Sequence, residues 1–171
     1  FFSAESPIVR MNKLIETKLG GSLSLSVVFK GDIKNPRIIK KIDSMERQIL
    51  KLPHVGNTSS IAQVVRMMSR AINEPGDEWY DVIPDNRNAV AQYFELYSLS
   101  GDPEDFEKMV DFPYEHAIVT IRLNTTSTTN ITKTIRYIEQ MTSNDPDVLL
   151  IGGYSLILSE LAEKLVAGQL I

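Results

Sequence analysis

The amino-acid sequence predicts an α+β domain, an antiparallel sheet with its helices packed on one face. Three observations carry that expectation. Two stretches, Leu23–Phe29 and Ala117–Leu123, place an apolar residue at every second position, the period of a strand with one buried face. Each is followed by a segment whose apolar residues recur at spacings of three and four, the period of an amphipathic helix. Each helix then leads to a further short extended stretch, His54–Ser60 in one case and Val148–Ile151 in the other. Strand–helix–strand therefore occurs twice, the pattern of an α+β layer.

The elements follow in order. Pro7–Leu19 reads as a short helix ended by Gly20-Gly21. After the first strand, Gly31-Asp32 turns the chain, and Asn35 before Pro36 supplies a cap followed by proline at the first helical position. Ile38, Ile42, Met45, Ile49 and Leu52 form one apolar stripe, and Pro53 stops that helix. A helix on Ile61, Val64, Val65, Met68 and Ile72 comes next. The loop Asn73–Asp85 holds two prolines and a glycine, and a further helix runs through Val90, Tyr93, Phe94 and Tyr97. Beyond the second strand, the Thr/Asn-rich turn Asn124–Asn130 opens a helix on Ile131, Ile135, Ile138 and Met141. Asn144–Asp147 is a turn, and Gly152-Gly153 releases a last amphipathic helix. The chain divides into a lead-in helix (1–21), a first strand–helix–strand unit (22–61), a helical insert (61–113), a second unit (114–152) and a final helix (153–171). Two such units folded together make a ferredoxin-like antiparallel sheet with helices on one face.

Composition narrows the function. At 171 residues the chain suits one domain with a real core. It has no cysteine, which removes disulfides, thiolate metal sites and cysteine nucleophiles. With only His54 and His116, a multi-histidine metal site is not expected. Eighteen basic residues against 22 acidic ones, with no Lys/Arg block, give no phosphate-tracking footprint. The strands carry serines and threonines with one terminal Phe29, not the aromatic platform on which RNA-binding sheets stack bases, so no nucleic-acid partner is expected. No apolar run reaches the roughly 18 residues of a membrane span. The sequence opens on Phe1 and stops inside an uncapped amphipathic helix, which reads as a domain cut from a longer protein.

The run SLSGDPEDFEKMVDF, Ser98–Phe112, is where an acid/base or metal site would lie: Asp102, Glu104, Asp105, Glu107 and Asp111 fall within ten positions. Helix punctuation accounts for it more simply. Gly101 takes the left-handed position after a helix, Asp102 the N-cap, Pro103 the first helical position, and Glu104 and Asp105 the first turn, where the helix dipole favours negative charge. Phe106, Met109 and Val110 give the apolar side, and Pro113 ends the element. A calcium loop needs regularly alternating oxygen ligands around an internal glycine, which the run lacks. Gly152-Gly153 reads as a tight strand-to-helix turn, because no G-x-G-x-x-G or P-loop surrounds it. His54 and His116 have no acid at a recognisable spacing and read as boundary residues. Sequons at Asn57, Asn124 and Asn130 are compatible with glycosylation outside the cytoplasm, but such triplets arise often by chance and weigh little. Catalytic, cofactor-binding and metal-binding residues are all read as none.

In order and spacing, GGSLSLSVVFKGDIKNP, then LPHVGNTSSIAQVV, then AVAQYFELYSLSGDPEDFEKMVDFPYEHAIVTIRL resemble the extracytoplasmic loop of resistance–nodulation–division exporters, in the MmpL-like, hydrophobe-exporter branch. The resemblance covers nearly the whole chain. It implies a ferredoxin-like porter domain between two membrane helices, with Phe1-Phe2 at the edge of the first and Ile151–Ile171 running into the second. It implies a non-enzymatic part of a proton-driven exporter of lipids or other hydrophobic or amphiphilic molecules, without a cofactor. The domain would form part of the substrate path and gate it by changing conformation. The implied partners are the transmembrane helices and second porter domain of the same polypeptide, a lipid-like substrate, and further copies in a homo-oligomer of the full-length protein. The proton-relay carboxylates of that family lie in membrane helices outside this sequence. Readings of a different class are a free-standing ferredoxin-like module that senses a small ligand, and an enzyme using the acidic run.

Overall fold

In the computed structural model, residues 23–153 are described; the helices expected over Pro7–Leu19 and after Gly153 lie outside the described residues. Among the described residues four strands form one sheet: β1 (Leu23–Lys30), β2 (Val55–Ser59), β3 (His116–Leu123) and β4 (Val148–Gly152). Their order is β2-β3-β1-β4, and every neighbouring pair is antiparallel. With α1 (Pro36–Ile49) between β1 and β2, and α5 (Thr128–Thr142) between β3 and β4, this is the ferredoxin-like α+β arrangement expected from the sequence. The insert supplies α2 (Ile61–Ile72), α3 (Arg87–Ser100) and the short α4 (Pro103–Glu107).

The alternation in β1 and β3 sets both register and layering. Leu23, Leu25, Val27 and Phe29 face Leu123, Ile121, Val119 and Ala117 across the pair, and all eight are buried. A slip of one residue would send every one of them to the other face, so this register is strongly specified. Ile38, Ile39, Ile42, Met45 and Ile49 of α1 and Ile131, Ile135 and Ile138 of α5 complete the same core. On the opposite face Ser24, Ser26, Val28, Ile118 and Thr120 stay half-buried and Arg122 is exposed.

The Asn35 cap forms where the sequence places it, and Ser60 and Asn86 cap the next two helices, which the sequence reading did not single out. Asn35 accepts from the Arg37 N–H at 3.0 Å, Ser60 from Ala62 at 3.1 Å, and Asn86 from Asn88 at 2.7 Å. α1 ends at Ile49 rather than at Pro53, because tighter turns, Lys51 N–H to Gln48 and Leu52 N–H to Ile49, carry the last stretch. Leu52 still packs against the core.

An ionic tie fixes the second edge of the sheet. Asp147 accepts from Arg37 at 2.6 Å and from Lys41, both on α1, while its carbonyl accepts from the Lys30 N–H of β1 at 2.8 Å. Lys41 also donates to Asp145 at 2.9 Å. The hydrogen bonds from Arg37 and Lys41, opposed by burial, hold the Asp147 carboxyl down at about 2. No helix among the described residues is long and apolar enough to cross a membrane.

The layering predicts unequal costs on the two faces of β3. Ile121→Ala empties a fully buried site and is expected to cost about 2–5 kcal/mol. Ile118→Ala, on the half-open face, should cost less than half as much. Urea unfolding of both variants measures this, and equal losses would mean that both faces are closed.

Candidate functional site

The acidic run divides into two parts with different work. Its first part is the expected cap: the Asp102 carboxylate accepts from the Glu104 N–H at 2.9 Å, with Pro103 at the first helical position and Glu104 and Asp105 in the first turn. Gly101 does not take the left-handed conformation expected of it; its φ is −100°, in the extended region. Contact, not conformation, demands glycine here. A Cβ would stand 2.8 Å from the Tyr97 ring and 2.9 Å from the Tyr97 carbonyl oxygen. Phe106 anchors α4 from below, its ring centroid 5.9 Å from Phe94 and 5.6 Å from Tyr97, so the helix turns its acids outward.

The second part rejoins the sheet. The Ile118 N–H donates to the Met109 carbonyl at 2.8 Å and the Asp111 N–H to His116 at 3.2 Å, with Val110 bridged to Ala117. Val110 thereby prolongs the β2 side of β3 beyond the end of β2. Asp111 then builds the connecting turn. Its carbonyl accepts from the Tyr114 N–H at 2.8 Å, and one carboxylate oxygen accepts from the Glu115 and His116 N–H groups at 2.9 and 2.8 Å. Its other oxygen lies 2.7 Å from His116 Nδ1.

His116 therefore has an acid partner, contrary to the sequence reading. Five positions along the chain mean nothing until the turn folds Asp111 back against it. The available signal was the Asp-x-Pro turn itself, since Asp side chains bond backbone amides a few residues on. Burial pushes the Asp111 carboxyl up, but the hydrogen bonds from the His116 ring and from the His116 and Glu115 amides outweigh it and hold the group below its ordinary value.

Tyr114 takes a left-handed φ of 68°, a conformation that disfavours a side chain. Packing holds it there. Its ring stacks on Phe94 at 5.7 Å, and the Lys34 ammonium sits 4.3 Å over it. Phe112, at the tip of the turn, is 92% exposed. Beside the turn lies an open cleft of about 410 Å³ lined by Lys30, Asp32, Pro113, Tyr114, Glu115 and His116. Arg87 grips Asp32 at 2.7 and 3.1 Å and lowers its carboxyl. The Asp111–His116 pair can orient an imidazole and brace the turn. Among the described residues no group of three or more His, Asp or Glu could hold a metal ion.

The other sequence candidates separate. His54 lies at the β2 boundary, and its carbonyl accepts from the Asn124 N–H at 3.0 Å. Asn57 and Asn124 are exposed, whereas Asn130 is half-buried and donates its amide to Thr125 at 3.3 Å. Gly152 is not part of the turn; it is the last residue of β4 and pairs with Ser26. Gly153 alone has the left-handed φ, 127°, and a Cβ there would stand 2.5 Å from the Ser24 carbonyl oxygen. The end of β4 at Gly153 thus lies against Ser24, near the start of β1. A second groove, of about 250 Å³, lies between α1 and α5, with Phe29, Met45 and Met141 beside Lys41, Gln48 and Thr142.

Compared with protein families, curated proteins and solved structures, the chain matches none.

The Asp111 turn has a pH signature. Its folded-state carboxyl lies below the ordinary value, so its contribution is full above the ordinary aspartate value, about 3.9, and is lost as pH falls from there through the lower folded-state value. Asp111→Asn should therefore be less stable than the unaltered chain at neutral pH, with the gap closing under acid conditions. Urea unfolding across that range checks this, and a gap that does not change with pH would contradict it.

Proposed function

We propose that this chain is the extracytoplasmic porter-type domain of a proton-driven membrane exporter of the resistance–nodulation–division superfamily, in its MmpL-like branch. Its cargo is a lipid or another hydrophobic or amphiphilic molecule, and it acts by contact and conformational gating, not by making or breaking bonds. The observation that supports this reading is that Gly153, at the end of β4, lies against the Ser24 backbone near the start of β1, at one end of the sheet. A domain set into a longer chain needs entry and exit close together. Two neighbouring membrane helices could then carry it, and the amphipathic segments at 1–21 and 153–171 are the stretches that would reach them. The α1–α5 groove also suits an amphiphile, because it joins Phe29 and two adaptable methionines to the polar Lys41 and Gln48.

The absence of cysteine gives a direct test. Leu99 is 80% exposed on α3, so Leu99→Cys in the full-length gene product offers a reactive thiol at little structural cost. A membrane-impermeant maleimide applied to intact cells should label that variant above the unsubstituted background, and the labelled product should sediment with membranes. Labelling only after lysis, or a product that stays out of the membrane fraction, would overturn the reading.

A further inference from the structure

Glu46 occupies the buried side of α1, between Ile42 and Ile49, and is 3% exposed. An ionised carboxylate at such a position has lost its water and requires strong compensation. Here every partner is neutral. Oε2 accepts from Thr58 Oγ1 at 2.7 Å and from Gln63 Nε2 at 2.8 Å, and Oε1 accepts from the Ser60 hydroxyl. Gln63 is steered by a second bond to the Thr58 carbonyl at 2.8 Å. The Ser60 oxygen also accepts from the Ala62 N–H as the cap of α2, so the carboxylate sits at the head of that helix, relayed through one hydroxyl.

The surrounding charges do not neutralise it. Arg66, on α2, is engaged with Asp43 at 2.6 and 2.7 Å and with Asp81. Arg47 reaches Asp43 at 3.3 Å. Asp43, one turn earlier on α1, is the charge that acts on Glu46, and it repels.

We propose that Glu46 is a proton-operated latch between α1 and the β2–α2 corner, seating the helical insert tightly when protonated and loosening it when ionised. The neutral form fits without backbone movement, because the Ser60 and Thr58 hydroxyls can rotate from donor to acceptor. Burial pushes the seated carboxyl above its ordinary value, outweighing the opposing hydrogen bonds from Ser60, Thr58 and Gln63. When the first turn of α2 lifts, Glu46 meets water and titrates normally, so opening releases a proton at pH values between the two. The opening constant then rises with pH by up to about tenfold per unit inside that window and is flat above it. The latch stands independently of the exporter reading.

Amide hydrogen exchange of Ala62–Val65 in the full chain, corrected for the intrinsic pH dependence of exchange, reads the opening constant. Protection should fall as pH rises through the window, by up to about tenfold per unit. Glu46→Gln should keep high protection and show no fall. A flat wild-type profile, or a variant with the wild-type slope, would overturn the proposal, since a purely structural Glu46 would shift protection equally at every pH. If Glu46→Gln does not fold, carbon-13 titration of the Glu46 carboxyl in the unaltered chain decides. A midpoint above the ordinary 4.5 supports the latch and one at or below it overturns it.

Discussion

The structure depends on the interleaving of its two strand–helix–strand units. β3 of the second unit lies between β1 and β2 of the first, and β1 lies between β3 and β4. Neither unit can pair its own two strands with each other. The pairing of the four strands therefore forms only when residues far apart in the chain meet, as Ser59 meets Thr120, Leu23 meets Leu123 and Ser26 meets Gly152. Such non-local pairing must meet its loop-closure entropy before it gains stability. The continuous apolar face from Leu23 to Phe29 against Ala117 to Leu123 supplies the compensating burial. Asp147 reinforces the outer junction, holding Arg37 and Lys41 of α1 while its backbone carries the Lys30 amide.

The insert is joined to that frame by its buried apolar residues and by the Arg66–Asp43 and Arg87–Asp32 pairs, and its two ends contrast. At the β2–α2 corner a polar cluster centred on Glu46 sits beside the buried Ile61, Ala62, Val64 and Val65. At the far end the contact is aromatic: Phe94, Phe106 and Tyr114 pack together, and Val110 returns to β3 as one further bridge. The two ends differ in physical character. The aromatic packing carries no proton of its own and the Asp111 turn beside it weakens only under acid, whereas the Glu46 corner loosens as pH rises. A helical insert held this way can loosen at one end and stay anchored at the other.

What was legible in the sequence was what periodicity and capping chemistry encode. The alternation in β1 and β3, the Asn35-Pro36 and Asp102-Pro103 starts, and the loop over Asn73–Asp85 all follow from local rules. Features that depend on meeting partners were not legible. Gly101 looked like a left-handed cap and is a contact glycine beneath Tyr97. His116 looked unpartnered because only the closed turn brings Asp111 to its ring. Glu46 sat inconspicuously in an amphipathic stripe; its burial depends on Thr58, Ser60 and Gln63 converging from the next two elements. The acidic run itself proved to be two devices, a helix start and a turn brace.

The strand order brings Gly153, at the end of β4, against Ser24 near the start of β1, and so underlies how the domain is borne. Directly opposed residues on antiparallel strands have Cα atoms about 4.5–5.5 Å apart, within disulfide reach, whereas strands two apart in a sheet are separated by roughly 10 Å. In this cysteine-free chain, Ser26→Cys paired with Gly152→Cys should cross-link under mild oxidation, and Ser26→Cys paired with Ser59→Cys should not. Cross-linking of the second pair and not the first would place β2 beside β1 and contradict the account.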